Sequence, residues 1–129
     1  MSMAERTTTM TAAEYRAIRE HLGLTGDDLA AILDVGERQG RRWENGATRI
    51  PAGVTRELGA LVDATDAEVA RLIAEHPTGR PLLTWRDEET YAADNPGTQW
   101  SARWHRGVVA RVLTARPDLT IAYHDDPTG

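Results

Sequence analysis

Five arginines fall within 21 positions of this chain, Arg38, Arg41, Arg42, Arg49 and Arg56, against only Glu37 and Glu44. A guanidinium offers a planar fork of donors that matches phosphate oxygens two at a time. Gln39 and Asn45 add amide donors and acceptors to the same stretch. Such a set binds a polyanion; it does not make or break bonds. The formal net charge of −5 argues the other way, because phosphate binding needs positive charge. Distribution resolves the conflict. Residues 1–35 carry three Arg against six acidic residues, and residues 57–129 carry seven against twelve. Positive charge is therefore local, and an acidic remainder suppresses indiscriminate binding while one face stays competent.

Catalytic groupings are not found in the sequence. His21, His76, His105 and His124 are scattered, with no pair at ligand spacing. Asp87-Glu88-Glu89 and Asp125-Asp126 read as solvated acidic runs. There is no glycine-rich phosphate loop and no Ser-nucleophile elbow, and without Cys there is no thiolate metal site or disulfide framework. The expectation is a protein that is not an enzyme, with no catalytic residues, no metal and no cofactor. No apolar run approaches the ~20 residues of a membrane span, and no signal-peptide pattern opens the chain. A cytoplasmic protein without membrane association is expected. All 15 basic residues are Arg and Phe is absent, a bias of coding composition and not of mechanism.

Elements that would position the arginines follow from caps and periodicity. Residues 1–10 lack periodicity and read as a disordered arm, from which Arg6 has the reach to enter a groove. Thr11 and Glu14 form a capping box, Tyr15, Ile18 and Leu22 share one helical face, and Gly23 suits a left-handed C-cap. Thr25 and Asp28 repeat the box two residues later, with Leu29, Ile32 and Leu33 as the buried face. Ala30 leaves room for a close helix crossing. Asp34-Val35-Gly36 reads as a tight turn before a helix from Glu37 to Asn45 that ends at Gly46. Pro51 starts a fourth helix carrying Val54, Leu58, Leu61 and Val62. Thr65 and Glu68 suggest a fifth, carrying Val69, Leu72 and Ile73. The expected fold is mainly α: a five-helix domain over 11–76, a Pro/Gly linker over 77–81, and a small β-α-β segment over 82–129. In that segment 82–86 and 119–124 read as strands, and Trp100, Trp104, Val108 and Val112 make the apolar stripe of a helix over 99–115.

The run from Leu24 to Gly46, LTGDDLAAILDVGERQGRRWENG, resembles the Cro/CI-type helix-turn-helix family. The pieces that carry the likeness are Leu24-Thr25, Leu29-Ala30, Ile32-Leu33, Asp34-Val35 and Trp43-Glu44-Asn45-Gly46, and it extends to the five-helix domain. The resemblance implies sequence-specific binding of double-stranded DNA, in a bacterial or phage-infected cell. It places Thr25 at a phosphate and Gly36 at the cap of the recognition helix. Glu37, Arg38, Gln39 and Arg42 fall where similar proteins read base edges. Arg pairs with guanine O6/N7, Gln with adenine N6/N7, and a carboxylate accepts from cytosine N4. Arg41, Asn45 and Arg49 are implied phosphate contacts that set register. Trp43 is expected in the core. Two departures stand out. Gly36 occupies a position commonly Ser or Thr, and Gly40 one that is commonly apolar, so that α-helix either crosses a neighbour closely or is incompletely ordered.

A two-stranded sheet with one helix is marginal alone, so the C-terminal segment is expected to dimerise. Trp85, Trp100, Trp104, Val108, Ile121 and Tyr123 are the candidate interface residues. A homodimer presents two recognition helices about one turn (~34 Å) apart, suited to a palindromic operator. A helix-turn-helix followed by a small α/β segment is also similar to anti-CRISPR-associated phage autoregulators. The reading is a transcriptional repressor or autoregulator. The alternative is an antitoxin-like or other protein-interaction module that uses the C-terminal segment.

Overall fold

The computed structural model describes residues 2–6 and 8–127. It is mainly helical, with six α-helices and two short strands among the described residues. The chain forms two compact units, one up to Thr65 and one from Asp66 onward.

In the first unit, α1 spans Ala12–His21, α2 Gly26–Ile32 and α3 Glu37–Glu44. Thr11 and Thr25 cap α1 and α2 through reciprocal boxes with Glu14 and Asp28, as the spacing predicts. Gly23 and Gly46 take φ of 67° and 81°, the left-handed geometry that lets Leu24 and Ala47 bond back to the carbonyls of Arg19 and Arg42. The α2–α3 turn uses the same motif with a less suited residue: Asp34 sits at φ 57°, and the Val35 N–H reaches the Ala30 carbonyl. Tyr15, Leu22, Leu24, Leu29 and Leu58 fill the core, each at most 1% exposed.

Two expectations fail here for physical reasons. The expected fourth and fifth helices are one, α4, over Ala52–Glu75. The Thr65 hydroxyl donates to the Leu61 carbonyl, a bond made inside a helix, so no break occurs. The unit boundary thus falls within α4 and not at 77–81. That stretch does end the helix. It is tied down by His76 Nε2, 2.8 Å from the Arg80 carbonyl oxygen, and by Thr78, which donates to Asp118. The described part of residues 1–10 is likewise packed, not a disordered arm. Met10 is buried and its N–H donates to Thr55 Oγ1. Arg6 pairs with Glu14 at 2.7 Å, away from any groove-reading role. A 3-10 turn at Met3–Glu5 lies so close to Gly59 that a Cβ there would overlap the Ala4 backbone.

The second unit runs β1 (Leu82–Thr84), α5 (Glu88–Asp94), α6 (Ala102–Ala115) and β2 (Ile121–Tyr123), besides its part of α4. The strands pair in parallel with Leu82 opposite Ile121 and Thr84 opposite Tyr123, and parallel strands need a long crossover. Two helices supply it where one was expected. The acidic run at 87–89 is in fact the start of α5: Asp87 accepts from the Thr90 N–H as its cap, and Glu88 accepts from the N–H groups of Ala102 and Arg103 at the start of α6. Among the described residues no helix is long and apolar enough to cross a membrane.

Candidate nucleic-acid interface

The basic stretch is presented by α3, so the packing of α3 decides which side chains face outward. Gly40 and Trp43 are its buried residues. A Cβ on Gly40 would lie 3.6 Å from Ala30 Cβ and 3.7 Å from the Tyr15 hydroxyl. A methyl would fit there in ordinary contact, and α3 meets α2 at Ala30 with two small residues facing, as the sequence suggests. Trp43 is 4% exposed and meets Tyr15 edge-on, with ring centroids 6.2 Å apart. Burial, then the charge of Glu44, pushes the Tyr15 phenol up to about 12, with Arg19 acting in the opposite sense. Arg19 grips Glu44 at 2.5 Å and also donates to the Leu24 carbonyl. This joins the end of α3 to α1. Nothing in the sequence advertises that pair, since 25 positions separate its members.

With Gly40, Trp43 and Glu44 turned inward, Arg38, Arg42 and Asn45 follow one another along the outer side at helical spacing. Glu37 and Arg41 run beside them. Glu37, Arg38, Arg41, Asn45 and Arg49 are exposed, while Gln39 and Arg42 are half-buried. Arg41 has only a long contact of 3.9 Å to Glu37. Among the described residues no ion pair engages Arg38, Arg42 or Arg49. Gly36, exposed at φ −68° and ψ 151°, caps α3 without a side-chain bond.

Thr25 caps α2 and keeps its hydroxyl proton for an outside acceptor. Its hydroxyl accepts from the Asp28 N–H, and its own N–H donates to the Asp28 carboxylate. With Asp27 and Asp28 in the first turn of α2, that helix start already holds its own anions. Asn45 uses its Oδ1 on the Ala47 N–H, which leaves the amide NH2 facing outward for an acceptor.

The residues expected at a dimer interface do not form one surface. Trp104 and Val108 are 7% and 1% exposed, buried within their own unit, so neither is free for a partner. Trp85, Trp100, Ile121 and Tyr123 are half-buried. Trp100 stacks on Trp104 with centroids 4.3 Å apart, and Arg86 lies 4.1 Å over the Tyr123 ring. The strand edges are also largely closed. Asp126 accepts from the Tyr123 N–H and donates its own N–H to the Tyr123 carbonyl. Pro81 precedes β1 without an N–H, and Arg106 donates to the carbonyls of Trp85 and Arg86 just past it. Devices of this kind block strand addition.

Compared with protein-family models and with curated proteins, the chain matches none.

Proposed function

We propose that this chain is a sequence-specific double-stranded-DNA-binding regulator, a repressor or autoregulator, in which α2 and α3 act as a helix-turn-helix. The observation that carries this reading is that Arg38 and Arg42 on the outer side of α3, and exposed Arg49 in the loop after it, are in no ion pair among the described residues. Unengaged guanidinium groups at i, i+4 spacing suit base edges and flanking phosphates in a major groove about 12 Å wide. Arg38, Gln39 and Arg42 are assigned to bases, with Glu37 beside them as an acceptor for cytosine N4. Arg41, Asn45 and Arg49 are assigned to phosphates. Thr25 caps α2, and the acids beside it in that first turn make it a weaker phosphate contact. Gly36 offers backbone only.

The protein is proposed to act in the cytoplasm as a homodimer, so that two copies of α3 read a palindromic operator. The interface is not built on Trp104 and Val108. Selection of bound sequences from random duplex DNA is the decisive experiment. A defined consensus whose affinity falls steeply with salt is the expected result, and a two-fold symmetric one reports the dimer. No enrichment at 50 mM salt would overturn the reading. A stable complex with a protein partner that survives neutralisation of Arg38, Arg41 and Arg42 would favour the interaction-module alternative.

A further inference from the structure

The second unit contains an aromatic cage that the DNA-binding reading does not use. Trp85 follows β1 and stands at its centre. Its ring stacks on His124 with centroids 5.4 Å apart, meets His105 edge-on at 5.1 Å and meets Tyr91 edge-on at 5.3 Å. Its Nε1–H donates to Asp94 at 2.9 Å.

The two histidines sit in unlike surroundings. His124 has a carboxylate near it, with Nε2 3.7 Å from Asp94. His105, on α6, faces Thr84 and Trp85 from the β1 side and Tyr91 from α5, with Trp104 on its own helix. Its polar partner is a hydroxyl: Nδ1 lies 2.8 Å from Thr84 Oγ1. Charged groups compensate its burial only in part. Glu68 of α4 acts on the ring at longer range, and Arg106 is turned to the Trp85 and Arg86 carbonyls.

We propose that His105 is an acid-sensitive latch: as a neutral ring it joins α6 to β1, and its protonation loosens the Trp85 cage and the end of the parallel strand pair. A charge on His105 would stand among rings with no carboxylate at ion-pair distance, a costly position. Burial accordingly lowers its pKa, with Glu68 opposing the shift. The sign follows. A histidine whose folded pKa lies below its unfolded one binds fewer protons when folded, so stability is complete above the ordinary value near 6.5. It is lost as pH falls below that value, until the folded pKa is passed.

The test uses the full chain. His105 should titrate below the ordinary value of about 6.5 when the imidazoles are followed by NMR. Residue-resolved unfolding in urea should show the second unit weakening with acid. The opening constant, read at the Trp85 indole and the His124 N–H bonded to Thr84, should rise by up to about tenfold per pH unit within the window. His105→Gln should flatten that dependence, whereas His124→Gln should leave it in place. Titration of His105 at or above 6.5, an unchanged dependence in His105→Gln, or its loss in His124→Gln would each overturn the proposal. If His105→Gln does not fold, the wild-type titration decides alone.

Discussion

Two sets of arginines in this molecule are held in different ways. In the second unit, Arg71 bridges Glu68 and Glu75, Arg86 reaches Asp125 and Asp126, and Arg111 meets Asp66. Arg116 pairs with Asp118 while it donates to the carbonyls of Ile73 and His76 at the end of α4. A phosphate arriving there would have to displace a carboxylate or uncap a helix. Along α3 and the loop after it, Arg38, Arg42 and Arg49 meet no such competitor. Charge counts therefore mislead, because the free energy of binding an anion depends on what the cation already holds.

The largest expected effect separates two tryptophans. Trp43 anchors α3 in the core of the first unit, so Trp43→Ala should cost ~3–5 kcal/mol of stability and abolish DNA binding with it. Trp100, half-buried on the Trp104 ring, should cost visibly less when changed to Ala. Denaturant unfolding of both variants decides the ranking. If Trp43→Ala lost under ~1 kcal/mol, the account of how α3 is positioned would be wrong.

A sharper contrast comes from matched arginines. Arg42→Ala should weaken operator binding by ~1–3 kcal/mol if it reads a base, with little change in the unfolding midpoint. Arg71→Ala, taken from the paired set, should change neither the affinity nor its dependence on salt. Equal losses from the two would mean that binding is diffuse and that free arginines are not privileged.

The helix starts near α3 were legible because capping is local: Thr11, Thr25, Gly23 and Gly46 each act within a few residues. The crossing at Gly40 was half legible. A mid-helix glycine costs ~1 kcal/mol relative to Ala, which demanded a reason, but only the structure places Ala30 and Tyr15 against it. Long-range features were not legible. The local pattern at Thr65 and Glu68 fits a cap, yet α4 runs straight through it and the Thr65 hydroxyl is turned to the Leu61 carbonyl. The Arg19–Glu44 pair joins residues 25 positions apart, and the burial of Trp104 and Val108 depends on the tertiary fold and not on local pattern. The acidic run at 87–89 hid a helix start because charge was the more obvious property than capping geometry.

Thr25 offers a test of a smaller effect within the first unit. Its hydroxyl accepts from the Asp28 N–H, so Thr25→Ala should cost ~1 kcal/mol of stability as the loss of a cap. The carboxylates of Asp27 and Asp28 in the same turn repel a phosphate, so operator affinity at a fixed folded fraction should be unchanged. A drop in affinity without a drop in stability would restore Thr25 as a phosphate contact.

The smallest effect tests the opposite end of the same motif. Gly36 has the extended backbone of a cap, φ −68° and ψ 151°, close to the −76° and 165° of Thr25. A Cβ there would meet nothing within 4 Å. A serine hydroxyl at this position can accept from the Gln39 N–H, the donor three residues on, as Thr25 does for Asp28. Gly36→Ser should therefore gain a few tenths of a kcal/mol, the usual difference between the two caps, read as a rise in the denaturant midpoint. On DNA the added hydroxyl also has a proton to donate to a phosphate, so affinity should hold or improve. Weaker binding from the more stable variant would place a phosphate or a base tight against the bare backbone of residue 36. Glycine would then be required there by close approach to DNA, a constraint that neither Thr11 nor Thr25 has to meet at its own helix start.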